Sequence, residues 1–183
     1  MFNCNLYNND AYSNINLNNN SHAYIFGSTF YNTTQVNISS DYLSDYELIK
    51  TLIHDNNTGE VLLLQDGAKL RNVTIYDNNA SYSAISSNGN GQIENTIIWG
   101  NNGPSLSFSA FSEQQYPLVI SYSNIEGGEE DVFIPWPQYT DLSLLHWEDN
   151  NINSSIFGRA KHLYSIHNKM KLRNIIVRIV DKK

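Results

Sequence analysis

Aromatic side chains recur along this sequence at a nearly constant spacing, and their chemistry suits the binding of sugars. The series consists of Tyr7, Tyr31, His54, Tyr76 and Trp99, with Glu126 at its next position. The successive separations are 24, 23, 22, 23 and 27 residues. Because the C–H faces of sugars match aromatic faces, Tyr7, Tyr31, Tyr76 and Trp99 are candidate carbohydrate-binding residues. In the alternative interpretation, the rings only cover a sheet and stabilise one another.

Residues that could cleave a polysaccharide are few. A lyase needs an Asp cluster for calcium and a Lys or Arg to take a proton, and residues 1–157 contain only Lys50, Lys69 and Arg71 as cations. A hydrolase needs two or three carboxylates on neighbouring strands. The densest acidic run, Glu129 to Asp131, follows the regular part of the sequence, which predicts a solvated turn. The sequence favours a protein that is not an enzyme, although it leaves the question open.

Patterns that bind metals or cofactors are missing from the sequence. The five histidines show no ligand spacing such as H-x-x-x-H. The single cysteine, Cys4, excludes an internal disulfide and a Cys-based zinc site. The sequence contains no dinucleotide-binding glycine motif, no phosphate-binding loop and no nucleophilic serine motif. We therefore predict no metal and no cofactor.

The aromatic series reflects an internal repeat of about 23 residues. An apolar anchor residue comes directly before each position of the series: Leu6, Phe30, Ile53, Ile75, Ile98 and Ile125. The copies alternate apolar and polar residues, as in Val73–Thr74–Ile75, which is the two-residue period of a β-strand. A unit this short cannot bury its own apolar face, so neighbouring units must stack as coils. We expect the anchors to form one inward column and the aromatic residues to point outward.

Two further strands per coil are predicted between successive anchors. One set includes Val61 to Leu64 and Ser105 to Phe108, and the other surrounds Leu70 and Ile93. Asparagine suits the corners because it tolerates the left-handed backbone of a sharp bend. Its amide can also bond to the same amide one coil above, about 4.8 Å away. Leucine-rich repeats have a similar period, but this sequence lacks their regularly spaced leucines.

The segments Asn95 to Gly103 and Tyr122 to Gly128 resemble the last coils of bacterial right-handed β-helix surface proteins with a pectate-lyase-like fold. The resemblance covers residues 1–157 and is most specific over 72–128. It implies an all-β, right-handed parallel β-helix (a solenoid) of about five to six coils, located outside the cell or at its surface. After Asn153, the acidic-Pro-x-Phe run of that family is replaced by Ser154 to Phe157.

The two ends of the sequence differ from the repeats between them. The N-terminus has no signal peptide and is typical of the middle of a repeat, so we expect the chain to begin inside a longer protein. Residues 158–183 form a basic, divergent tail with eight of the 11 Lys and Arg residues and one acid, Asp181. Three interpretations of the tail stay open: a reading-frame change in the gene, a genuine capping or docking segment, or a segment that touches a membrane surface.

These observations predict a non-catalytic, extracellular or cell-surface β-helix module that binds glycans or serves as an adhesin-like stalk. The alternative is a fragment of a polysaccharide lyase or glycoside hydrolase, with its active site in coils upstream. The predicted partner is a polysaccharide. With three cations against 17 acids, residues 1–157 carry a charge of -14, which should repel nucleic acid. No stretch reaches the roughly 18 apolar residues of a membrane span.

Overall fold

The computed structural model describes residues 1–10, 13–34, 36–40, 43–65, 67–111 and 116–152. These residues contain 17 β-strands and two short 3₁₀-helices, Glu129–Asp131 and Leu142–Leu144. The chain divides into two units, Met1–Asn153 and Ser154–Lys183. The second unit, which includes the predicted tail 158–183, lies outside the described residues.

The strands form three sheets in which every pairing is parallel. The first sheet contains β1 (Asn5–Tyr7), β4 (Thr29–Tyr31), β7 (Leu52–His54), β10 (Thr74–Tyr76), β13 (Ile97–Trp99) and β16 (Asn124–Ile125). The second sheet contains β2 (Ser13–Leu17), β5 (Val36–Ser40), β8 (Asn57–Leu64), β11 (Asn79–Ser87) and β14 (Leu106–Phe108). The third sheet contains β3 (His22–Phe26), β6 (Asp45–Ile49), β9 (Ala68–Arg71), β12 (Gly91–Glu94), β15 (Leu118–Ser121) and β17 (Leu145–Trp147).

Each of the first five coils supplies one strand to the first, second and third sheets in turn, and among the described residues the sixth coil supplies strands to the first and third sheets only. The first and third sheets therefore hold six strands, stacked in chain order, and the second sheet holds five. Phe133 continues the second sheet by a single parallel bridge to Ser107. The predicted solenoid of about six coils is confirmed, and so are both sets of additional strands, which correspond to β8, β14, β9 and β12.

The predicted anchor residues form one continuous column in the first sheet. Each anchor pairs in register with the anchor of the next coil, from Leu6 through Phe30, Ile53, Ile75 and Ile98 to Ile125. All of them are buried except Leu6, which is half-buried in the first coil. The second and third sheets add parallel columns such as Leu62 with Ile85 and Leu70 with Ile93. Together these columns form the apolar core.

The corner after the first sheet divides the two predicted roles of asparagine between adjacent positions. The left-handed residue comes first and is Asn32, Asp55, Asp77 or Gly100, with φ between 52° and 68°. The residue that follows it in the sequence points into the molecule and forms hydrogen bonds with the neighbouring coils. These inward residues, Thr33, Asn56, Asn78 and Asn101, are called here the amide ladder. The left-handed bend therefore restricts the residue type at the first position, and hydrogen bonding between coils restricts it at the second.

The amide ladder joins four successive coils through side-chain hydrogen bonds. Thr33 Oγ1 donates to Asn56 Oδ1 at 2.9 Å, and Asn56 Nδ2 donates to Asn78 Oδ1 at 2.8 Å. Asn78 Nδ2 donates in turn to Asn101 Oδ1 at 2.9 Å. Because Asn56 and Asn78 are buried, their amides have to find partners inside the protein. The predicted bonding of Asn amides from coil to coil is confirmed.

One tyrosine lies within the core. Tyr46 on β6 is fully buried, and its hydroxyl donates to the carbonyl oxygen of Leu63 at 2.9 Å. Burial removes water from the phenol and raises the pKa of Tyr46 far above its ordinary value. The phenol is therefore neutral throughout the physiological pH range.

An irregular segment, residues 127–144, follows the last strand of the first sheet and folds over the second sheet. Phe133 exchanges backbone hydrogen bonds with Leu106 and Phe108 of β14, and its ring meets the ring of Tyr82 edge-on at 5.8 Å. The acidic run Glu129–Asp131 forms an exposed 3₁₀-helix, which confirms the predicted solvated turn. The segment thus covers the edge of β14.

Candidate functional site

The candidate carbohydrate-binding residues lie together on the outer side of the first sheet. The register pairs Tyr7 with Tyr31, Tyr31 with His54, His54 with Tyr76, and Tyr76 with Trp99. These five residues are called here the aromatic column. Since each residue follows an inward anchor, the strand period turns it outward, as the sequence predicted. One ring from each of five coils is therefore presented along the stacking axis.

The first four rings of the aromatic column stack face to face. The ring centroids of Tyr7 and Tyr31 are 5.1 Å apart with planes 9° apart. The values are 5.4 Å and 1° for Tyr31 and His54, and 5.1 Å and 19° for His54 and Tyr76. Neighbouring rings therefore cover both faces of Tyr31 and of His54. A ligand along the column meets ring edges rather than ring faces.

Exposure decreases from the first ring of the column to the following ones. Tyr7 is 50% exposed, whereas Tyr31, His54, Tyr76 and Trp99 are half-buried. His54 Nδ1 donates to Asp55 Oδ2 at 2.7 Å, which holds the imidazole plane between its two neighbours. Tyr31 covers one face of Tyr7, and the exposure of Tyr7 leaves its other face within reach of a ligand.

Polar residues line the aromatic column on its corner side. The residue after each ring is the left-handed corner residue, and in four successive coils it is Asn8, Asn32, Asp55 and Asp77. Asn8, Asn32 and Asp77 are exposed, and Asp55 is half-buried. Amides and carboxylates at this spacing offer donors and acceptors for hydroxyl groups beside the ring edges. The column and its corner residues together form a surface with both apolar and hydrogen-bonding character.

The aromatic column ends at Glu126. The carboxylate of this residue does not continue the outward row, because its Oε2 accepts a hydrogen bond from the backbone N–H of Gly100 at 2.6 Å. Glu126 lies one coil after Trp99, and its carboxylate binds the backbone N–H at the corner that follows Trp99. The sixth position of the aromatic series has a structural role at the end of the column.

Of the three cations named in the sequence analysis, Lys69 and Arg71 lie on β9 of the third sheet, and Lys50 lies at the corner that follows β6. Arg71 Nη1 lies 3.1 Å from Glu47 Oε1, and Arg71 Nε lies 3.4 Å from Glu94 Oε2. Lys69 lies on β9, the strand that also carries Arg71, and pairs in register with Glu47 of β6. The ammonium group of Lys50 lies 5.3 Å from the ring centroid of Phe26. Within the described part of the chain these three residues are all of the Lys and Arg side chains.

A second aromatic cluster adjoins these cations and was not recognised in the sequence. The ring centroid of Phe2 lies 5.9 Å from that of Tyr24 and 6.2 Å from that of Phe26, with planes tilted by 48° in both pairs. Phe2 is 66% exposed and Tyr24 is 40% exposed, so ring faces are accessible here. The repeat held a usable signal, since Tyr24 and Phe26 lie one period before Glu47 and Ile49. The grouping follows from the register of the third sheet.

Within the described parts of residues 1–152, no group of three or more His, Cys, Asp and Glu side chains is placed to hold a metal ion. Across the same residues, no helix has the length and apolar character required to cross a membrane.

A family model described as right handed beta helix region matches residues 13–158 of the chain. The matched stretch covers most of the sequence and includes nearly all of the stacked coils. No curated protein and no solved structure matches the chain. The family match agrees with the parallel coils and supplies their right-handed sense.

Proposed function

The chain belongs to the right-handed β-helix family. We propose that it is a non-catalytic extracellular or cell-surface module that binds an extended polysaccharide. The observation that carries the proposal is the aromatic column, in which five successive coils each present one ring at the same position of the first sheet. A repeating surface suits a repeating ligand, because each sugar along the chain meets equivalent groups.

The stacked rings determine how the ligand binds. Because neighbouring rings cover the faces of Tyr31 and His54, the sugars contact ring edges and form hydrogen bonds with the exposed corner residues Asn32 and Asp77. Stacking on a ring face is available at Tyr7. Each contact is weak and leaves much of the sugar wet, so affinity comes from the number of coils engaged. Ion pairs contribute little, and salt should have little effect.

The proposed location outside the cell rests on the resemblance of Asn95 to Gly103 and Tyr122 to Gly128 to β-helix surface proteins. The outward aromatic column supports this location in a second way. An outward row of rings along the solenoid offers a binding surface to an extended ligand outside the cell. The same row also suits an adhesin-like stalk.

An array of plant, algal and bacterial glycans tests the proposal. We expect the wild type to retain one class of extended polysaccharide, and Trp99→Ala and Tyr31→Ala to weaken retention several-fold. The matched control is Tyr139→Ala, which removes a ring that is 65% exposed in the irregular segment. Binding should resist chelators, since no calcium takes part. Absence of retention by the wild type, or equal weakening by the control, would refute the proposal.

A second candidate function is cleavage of an acidic polysaccharide, with the rest of the active site in coils upstream. The specific observation is that Lys69 and Arg71 lie on one strand of the third sheet and that Lys50, at the neighbouring corner, lies over the Phe26 ring. Arg71 is held by Glu47 and Glu94, so this candidate function would assign the proton-accepting role to Lys50 or Lys69. Release of unsaturated or reducing ends, lost in Lys69→Ala, would favour this function over binding alone.

A further inference from the structure

The outer face of the first sheet carries a second column of side chains beside the aromatic column. In each three-residue strand the middle residue is buried and the two flanking residues face outward. The residue two positions before each ring is therefore outward as well. From the second to the fifth coil these residues are Thr29, Leu52, Thr74 and Ile97, which pair in register and are called here the companion column.

The companion column alternates in polarity with a period of two coils. Thr29 and Thr74 present hydroxyl groups, and Leu52 and Ile97 present aliphatic groups on the coils that follow them. The aromatic column beside it supplies one ring to every coil. A ligand that fits both columns therefore has one unit on each coil and repeats its polar pattern at every second unit.

The spacing of the rings suits the sugars of an extended chain. The ring centroids from Tyr31 to His54 and from His54 to Tyr76 lie 5.4 Å and 5.1 Å apart, which is close to the length of one pyranose with its linking oxygen. Chains of β-1,4-linked pyranoses form flat ribbons in which each sugar is turned over relative to the one before it. Each edge of the ribbon therefore alternates between two ring hydroxyls and the ring oxygen with the C5 substituent. This alternation has the same period as the companion column.

The charge on this face disfavours an acidic ligand. The carboxylates of Asp55 and Asp77 line the corner side of the rings. Lys69 and Arg71 lie on the third sheet, and the ammonium group of Lys50 lies over an aromatic ring of β3. Within the described ranges, no Lys or Arg side chain on the first sheet offsets the two carboxylates. A polyuronate would therefore meet like charge along the column.

We infer that the ligand of the aromatic column is an uncharged β-1,4-linked polysaccharide, which lies along the stacking axis with one sugar on each coil. This inference rests on the proposed binding function and names its ligand class. The ring edges contact the C–H groups of every sugar. The hydroxyls of Thr29 and Thr74 bond to the ring hydroxyls of alternate sugars, and Leu52 and Ile97 contact the sugars between them.

Affinity electrophoresis of the full chain at low ionic strength tests the ligand class. The gels contain β-1,4-glucomannan (an uncharged ribbon), amylose (an uncharged α-1,4-linked helix) or polygalacturonate (an acidic chain). The retardation lost in Tyr31→Ala measures binding at the column. We expect the column to bind glucomannan at least about tenfold more tightly than either of the other two.

Equal or tighter binding of amylose or polygalacturonate at the column would overturn the inference and leave the proposed function standing. If Tyr31→Ala changes the retardation by none of these polysaccharides and by none on the glycan array, the proposed function itself fails, and the inference fails with it.

Asp77→Asn tests the selectivity against charge. Asn32 already adopts the left-handed backbone at the same corner position, so the variant should fold, which circular dichroism checks. Removing one unit charge beside the column should raise the affinity for polygalacturonate about fivefold at low ionic strength and leave glucomannan binding unchanged. The matched control, Asp131→Asn, removes the same charge from the exposed acidic run and should change neither. Equal gains in both variants, or no gain in Asp77→Asn, would overturn the inference.

Thr74→Val tests the match to the ribbon edge. The substitution keeps the shape of the side chain and removes its hydroxyl, so glucomannan binding should weaken several-fold. Thr74→Ser keeps the hydroxyl and should bind nearly as tightly as the wild type. Equal binding by the two variants would contradict the pairing of the Thr74 hydroxyl with the sugar hydroxyls.

Discussion

Asn78 Nδ2 donates a hydrogen bond to Oδ1 of Asn101 in the next coil, and the two atoms are 2.9 Å apart. The same Asn78 amide group donates to the backbone oxygen of Ile53 at 3.2 Å, and its Oδ1 accepts from Nδ2 of Asn56 at 2.8 Å. Only 1% of Asn78 is exposed. One side chain therefore satisfies polar groups from three coils in a place that water does not reach, and this makes the amide ladder sensitive to substitution.

We expect Asn78→Ala to lower the free energy of unfolding by about 2–4 kcal/mol, because buried partners lose their hydrogen bonds. The neighbouring Asn79 provides a matched control. Its amide donates to Asn57 Oδ1 at 2.6 Å, but both residues are exposed. Asn79→Ala should therefore cost less than about 1 kcal/mol. Urea unfolding measures both changes, and similar losses would show that burial of the ladder contributes little.

The inward and outward positions of one strand should respond differently to a carboxylate. Ile75 is fully buried and Tyr76 is half-buried in the aromatic column. Ile75→Asp buries an unpaired charge and should cost about 4–5 kcal/mol or more, enough to unfold the central coils. Tyr76→Asp loses the stacking on His54 and should cost roughly 1–2 kcal/mol. Thermal unfolding followed by circular dichroism compares the two variants, and equal damage would contradict the assignment of faces.

The buried Tyr46 phenol predicts a loss of stability in alkaline solution. Burial raises the pKa of Tyr46 in the folded chain, whereas the unfolded chain releases this proton near the ordinary value of about 10. The stabilisation is present in full below that pH and is lost as the pH rises above it, by up to about 1.4 kcal/mol per pH unit.

Tyr46→Phe isolates this effect. At neutral pH the variant should lose about 1 kcal/mol, because the Leu63 carbonyl loses its donor. Above about pH 10 the difference from the wild type should shrink, since phenylalanine does not titrate. Urea unfolding at several pH values measures the difference. A difference that is constant across the whole range would show that Tyr46 does not contribute to the pH dependence.

Removal of residues 158–183 should leave the stacked coils folded. The motivation is the change of charge from -14 over residues 1–157 to +7 over residues 158–183, at the point where the family match ends. We expect the truncated chain to keep the circular dichroism spectrum of the full chain and nearly the same Tm. A large fall in Tm would show instead that the tail caps the end of the stack, as terminal segments of solenoids commonly do.

Much of the fold could be predicted from the sequence because a solenoid translates sequence spacing directly into spatial neighbours. Residues one period apart, such as Ile53 and Ile75, become strand partners whatever the rest of the chain does. The inward column, the outward column and the bonding of Asn amides between coils all follow from that period together with the alternation along a strand.

The repeat was therefore enough to predict the coils, their register and the outward positions of the first sheet. The folded structure alone shows that neighbouring rings cover the faces of Tyr31 and His54, because the period places rings one above another but does not set their tilt. It also decided that Arg71 joins Glu47 and Glu94 and that Phe133 folds onto β14. These contacts depend on side-chain rotamers and on an irregular segment, and neither obeys the repeat.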